Sequence, residues 1–140
     1  MKLNDAARDL IGDGADATLV TLNSDGSPQV TVVWVALQST PEGDELVTAH
    51  LSEHQKVRNV RRDPRVAVTI VSPGEGGVMR PYLAVNGTAR IVEGGAPELL
   101  TGLAKALTPP ATPFPPADAP PGYLTRIRID KIRGVGPWVS

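Results

Sequence analysis

The chain contains no cysteine. That excludes disulfides, thiolate-ligated metals and thiol nucleophiles together. Histidine is nearly as scarce, with two in 140 residues, so a histidine-built metal site is not expected. Aromatic residues make up only 4% of the sequence, which leaves the core to Val, Leu, Ile and Ala. No apolar run is long enough to cross a bilayer. The polar, mixed-charge stretch Met1–Leu10 does not read as a signal peptide. A cytoplasmic protein with no membrane contact is therefore expected. Net charge is close to balance at −1, so the molecule as a whole has no pull on nucleic acid, and any anion site must be a local cluster. The length predicts a single domain spanning residues 1–140.

What the chain has in quantity is β-branched and turn-forming sequence. Asn4 or Asp5 predicts the cap of a short helix reaching Ile11, stopped by Gly12 and Gly14. Ala17–Leu22 predicts a strand and Asn23-Ser24-Asp25-Gly26 a turn. Val30–Leu37, VTVVWVAL, predicts a second strand too uniformly apolar to be half-exposed. Pro41–Asp44 turns the chain into a third strand, Glu45–Leu51. Ser52 with Gln55 reads as a capping box for a helix ending at Asp63-Pro64. Arg65–Val71 and Tyr82–Val92 predict strands, the second bulged near Gly87, with a mobile glycine-rich loop over Ser72–Val78 between them. Ala96–Leu107 carries Leu99, Leu100, Leu103 and Leu107 on one helical stripe. Thr108–Gly122 is too rich in proline for regular structure and predicts an irregular surface loop. Tyr123–Ile132 alternates as a strand with one wet face. Six or so strands and only short helices imply a mainly β fold, a closed or partly closed antiparallel barrel.

The chemistry-bearing segment is Ser52–Arg65. Lys56, Arg58, Arg61, Arg62 and Arg65 crowd it, and Lys56 and Asn59 lie one helical turn apart. A cation and an amide converging there suit a phosphate, one supplying charge and the other directed hydrogen bonds. The same residues also read as a solvated basic face, the default for a charge run. The cluster contains no aromatic, which argues against a nucleic-acid surface built on stacked bases. Trp34 reads either as core or as a wall for a planar ligand, and Val30, Val32 and Val33 read as core. Trp138 is expected either to pack into a groove, a second subunit's being one option, or to fray with its tail. His50 reads as a partly buried strand residue and His54 as a possible anion contact. Neither belongs to a triad. Gly74-Glu75-Gly76-Gly77 lacks the Lys-Ser/Thr of a phosphate loop.

The order of these segments, with Asp25-Gly26-Ser27-Pro28-Gln29-Val30, then Lys56-Val57-Arg58-Asn59-Val60-Arg61-Arg62-Asp63-Pro64-Arg65, then Val85-Asn86-Gly87-Thr88-Ala89, resembles the pyridoxamine 5′-phosphate oxidase-like split β-barrel superfamily. More narrowly, it is similar to the actinobacterial branch that uses the deazaflavin coenzyme F420. The resemblance implies a split antiparallel barrel of the FMN-binding type, forming a homodimer with cofactor sites at the subunit interface. It implies an oxidoreductase in which reduced F420 passes a hydride to an unsaturated small-molecule substrate. An FMN-dependent reductase and a non-catalytic F420 carrier are the alternatives. Carried onto this sequence, Lys56 and Asn59 match the phosphate positions, supported by Arg58 and Arg61. Gln29, Val30, Thr31 and Val32 would line the ring with Trp34 nearby, and Ala49, His50 and Leu51 would close the other side. Arg58, Arg61, Arg62 and Arg65 would offer a groove to the acidic F420 tail. The chain lacks the C-terminal Arg/His pattern of the vitamin B6 enzymes, so that reaction is not implied. No metal is implied and no catalytic proton donor is identified.

Overall fold

A computed structural model describes residues 1–73, 78–109 and 113–139. Helix α1, Asp5–Ile11, starts where the Asn4 side chain accepts from the Ala7 amide, and it ends at Gly12 with φ 55°. Strands β1 (Ala15–Leu22), β2 (Pro28–Thr40) and β3 (Gly43–His50) follow as two consecutive antiparallel pairings. Helix α2 covers Gln55–Arg62, and β4 Arg65–Val71. Strand β5 covers Tyr82–Glu93, α3 Ala96–Leu107 and β6 Tyr123–Val135. The strands close into an antiparallel barrel in the order β1-β2-β3-β6-β5-β4. The mainly β barrel with short helices is as expected. The predicted bulge is present as a register shift between Asn86 and Gly87. Gly87 is required there, since a Cβ would stand 2.5 Å from the Arg128 carbonyl oxygen.

Alternation along the strands turns Leu19, Val35, Leu46, Val68, Leu83, Val85 and Ile127 into the barrel interior, each at most 2% exposed. Leu3, Ala7 and Ile11 join this core from the N-terminal segment and α1.

Four expectations are corrected. Strand β2 is not buried on both faces. Val33 and Val35 enter the core, whereas Val30 and Val32 are 62% and 73% exposed on the outer face. Period-two geometry sends neighbouring side chains to opposite faces, so a uniformly apolar strand needs two covers, and the barrel supplies one. Ser52 does not cap α2. The helix begins two residues later, with His54 at the cap position, and the Ser52 hydroxyl lies 3.2 Å from the His54 ring. Trp138 neither frays nor waits for a partner: its indole N–H donates to the Tyr82 carbonyl at 2.7 Å and its ring joins the barrel's own core. On α3 the stripe buries Leu100 and Leu103 but leaves Leu99 and Leu107 half-buried. Of the glycine-rich loop, residues 74–77 lie outside the described residues, as do 110–112 of the proline-rich segment.

Candidate functional site

The split in the barrel follows from strand register. β2 pairs with β3 only over Ala36–Thr40 against Gly43–Val47. Before Ala36, β2 is paired to β1 alone, and beyond Val47, β3 is paired to β6 alone. The two strands part, and a cleft of about 340 Å³ opens between them. Val32, Val33 and Trp34 form one wall, and Thr48 to Leu51 the other. His54 and Lys56 come from the α2 region, Leu100 from α3 and Phe114 from the proline-rich segment.

Each of these residues brings a distinct property. Trp34 is half-buried and meets the Phe114 ring edge-on at 5.9 Å. Two of the chain's few aromatics therefore gather at one site. Lys56 is half-buried and makes no hydrogen bond or ion pair with the described residues. Burial pulls its pKa below the ordinary lysine value. An anion entering the cleft would relieve that cost. His50 is 3% exposed, with Nε2 and the Thr125 hydroxyl 2.8 Å apart. Burial, then the charge of Lys56 and the His54 ring, pushes its pKa down to about 3, so it is neutral at physiological pH. His54 is lowered as well, by burial and then by Lys56 and Arg58.

The cleft thus gathers Val32, Trp34, Ala49, His50, Leu51 and Lys56 of the expected site. The other six expected residues lie off it. Asn59 departs most from its expected role, because it is 0% exposed and fully engaged. Its amide N–H group donates to Thr21 Oγ1 at 3.0 Å, Asn23 Oδ1 at 2.9 Å and Gln29 Oε1 at 3.4 Å. Its oxygen accepts from Gln55 at 2.8 Å and from Arg62 at 3.2 Å. Residues three apart on a helix differ by about 60° around the axis, enough for one to face the cleft and the other the barrel. Gln29 belongs to this same network. Val30 is on the outer face, and Thr31 Oγ1 is buried with no partner. Arg58 donates to the Glu53 carbonyl and to Gln55. Arg61 pairs with Glu53 at 2.9 Å and lies over the Tyr123 ring. Arg65 pairs with Asp63 at 2.7 Å, and Arg62 donates to the Leu22 carbonyl. The arginines are committed to neighbours, and Lys56 is the free cation of the segment among the described residues.

Phe114, Leu100 and Thr125 were not foreseen. Phe114 carried one signal, as the chain's single phenylalanine within a proline-rich loop. Leu100 and Thr125 carried none, because only the closed barrel brings their elements to β2 and β3.

Chemically, the cleft suits a flat ligand bearing an anionic group. It has apolar walls, an aromatic corner, one unpaired cation and one uncharged imidazole. Among the described residues, no group of three or more His, Asp or Glu side chains could hold a metal. No described helix is long and apolar enough to cross a membrane.

The sequence profile described as Pyridoxamine 5′-phosphate oxidase matches residues 3–136. No curated protein matches the chain. Among solved structures, a protein named F420 Reductase is 27% identical over 90% of this chain and 94% of its own, with a TM-score of 0.73. Conserved hypothetical protein Rv2991 from Mycobacterium tuberculosis is 26% identical over 95% of this chain and 84% of its own, with a TM-score of 0.71. HutZ, a heme storage protein from Vibrio cholerae, shares the fold at 15% identity, covering 97% of this chain and 96% of its own with a TM-score of 0.62.

Proposed function

The chain belongs to the pyridoxamine 5′-phosphate oxidase family, and from that premise we propose that it is an F420-dependent reductase acting on an unsaturated organic substrate. The observation that carries this reading is Lys56, an unpaired and half-buried ammonium at an apolar cleft in the barrel's split. A desolvated cation without a partner is unfavourable unless a ligand anion supplies one. Similarity to the protein named F420 Reductase supports the deazaflavin.

In this reading Lys56 holds the cofactor's phosphate. Val32, Trp34, Ala49 and Leu51 flank its ring, and Phe114 and Leu100 screen the site from water. F420, when bound and reduced, supplies the hydride. The protein's part is position and electrostatics, which fits a site without an acid–base constellation. The cofactor sites lie at the interface of a homodimer, a view supported by the outward Val30 and Val32 beside the cleft.

One observation favours a second reading. The acidic tail of F420 needs free cations, and Arg61, Arg62 and Arg65 are committed within the chain. FMN has no such tail. Parallel fluorescence titrations with F420 and FMN separate the two. Tighter binding of F420 is expected, and a tenfold preference for FMN would sink the F420 reading. Turnover of the F420-loaded protein with a panel of enones and quinones tests reductase against non-catalytic carrier.

A further inference from the structure

His50 closes β3 at the edge of the cleft, and its two ring nitrogens are used unequally. Nε2 is tied to the Thr125 hydroxyl at 2.8 Å, which sets the ring's rotation. Nδ1 has no hydrogen-bond partner among the described residues. Nor is it sealed in the protein: among the described residues, Thr31 Oγ1 is the side-chain polar atom both buried and unpartnered. The residue is 3% exposed, so the surface left to Nδ1 is the cleft that His50 lines.

The surroundings hold this arrangement. Opposite the His50 backbone, Gly122 sits at φ +62°, and any Cβ there would overlap the His50 carbonyl. The facing charged and titratable groups are Lys56 and His54, and both disfavour a proton on the ring. A neutral imidazole does not compete with Lys56 for an anion. An apolar side chain would fill this space as well, so the polar ring edge turned to the cleft is what sets histidine apart there.

We propose that His50 orients the ligand: through Nδ1 it hydrogen-bonds an uncharged polar atom on the edge of the bound heteroaromatic ring. The cleft then reads a ligand at two points, the anion at Lys56 and the ring edge at His50. Two fixed points set the ring's direction in the cleft, which a single ionic contact cannot do. The inference rests on the cofactor reading above.

The test uses the full chain with its histidine imidazoles labelled with 15N. On saturation with F420, or with FMN, the His50 Nδ1 resonance is expected to shift while Nε2, held by Thr125, moves less. His50→Phe should weaken affinity roughly three- to tenfold, the worth of one neutral hydrogen bond. His50→Gln, which keeps a polar end, should recover most of the loss. A silent Nδ1 at saturation, or a folded His50→Phe protein with unchanged affinity, would overturn the assignment. If His50→Phe fails to fold, the resonance of the unsubstituted protein decides. Failure of the unsubstituted protein to bind either cofactor would remove the cofactor reading and His50's role with it. Binding with a silent Nδ1 removes His50's role alone.

Discussion

Lys56 and Asn59 sit three residues apart on α2 and meet different fates. Lys56 reaches the cleft and finds no partner, while Asn59 turns inward and makes five hydrogen bonds. Their alanine variants should therefore separate binding from folding. Lys56→Ala is expected to weaken F420 affinity by about 1.5–3 kcal/mol, the worth of a charged hydrogen bond. Its melting temperature should hardly move, because no hydrogen bond or ion pair with the described residues is lost. Unaltered affinity by fluorescence titration would refute the phosphate role. Asn59→Ala should instead cost about 2–4 kcal/mol in urea unfolding, since Thr21, Asn23 and Gln29 lose their shared donor. The folded Asn59→Ala protein should bind more nearly as the unsubstituted one does. A large loss of affinity with full stability would return Asn59 to the ligand.

At the scale of elements, the end of the barrel remote from the split is closed by the N-terminal segment. Asp44, at the start of β3, has a side chain only 2% exposed. It accepts from the Leu3 amide at 2.7 Å, from the Ser39 hydroxyl at 3.0 Å and from Arg8 at 2.7 Å. Burial raises its pKa, but Leu3, Ser39 and Arg8 together outweigh that and lower it below 3.8. A depressed carboxylate pKa means that the unfolded chain binds the proton more readily. The stability from Asp44 is thus complete above pH 3.8 and drains away as pH falls through its lower native value. Thermal melts of the unsubstituted protein should fall in that acid range. Asp44→Asn should melt lower at neutral pH and show a shallower acid decline. An acid profile unchanged by Asp44→Asn would show that the clamp is not a charged one. Glu45, lowered by its hydrogen bond from Arg90 despite burial and helped by Arg126, should leave some acid sensitivity in that variant.

For the molecule as a whole, the telling feature is the barrel's outer surface. Val30, Val32, Val71 and Val135 all stand more than 40% exposed there. Of these, Val30 and Val32 stand on the strand that walls the cleft, and the proposed second subunit would cover that face. Val30→Lys with Val32→Lys should convert a dimer to monomer in sedimentation velocity without unfolding the barrel. It should also weaken cofactor binding, since the sites are proposed to lie at that interface. An unsubstituted protein that sediments as a monomer at micromolar concentration would sink the dimer.

How much was legible depended on the range of the interactions. Helix α1, the Asn23–Gly26 turn, the Gly87 bulge and the strand order along the chain rest on caps, turn residues and periodicity. These act over a few residues, so the sequence by itself determined them. So did the resemblance carried by the Lys56–Arg65 stretch. Helix α2 starts two residues later than the Ser52–Gln55 pattern implies, with His54 at the cap position and the Ser52 hydroxyl beside the His54 ring. Which face of β2 is covered, where Trp138 packs, and which of Lys56 and Asn59 lines the cleft were decided only by tertiary structure. The reason is register: pairing between β2 and β3 stops at Ala36 and Val47, and the cleft exists because it stops there. That endpoint is fixed by how the whole barrel is registered, with β1 on the other edge of β2 and β6 on the other edge of β3, and these pairings join residues far apart in the chain.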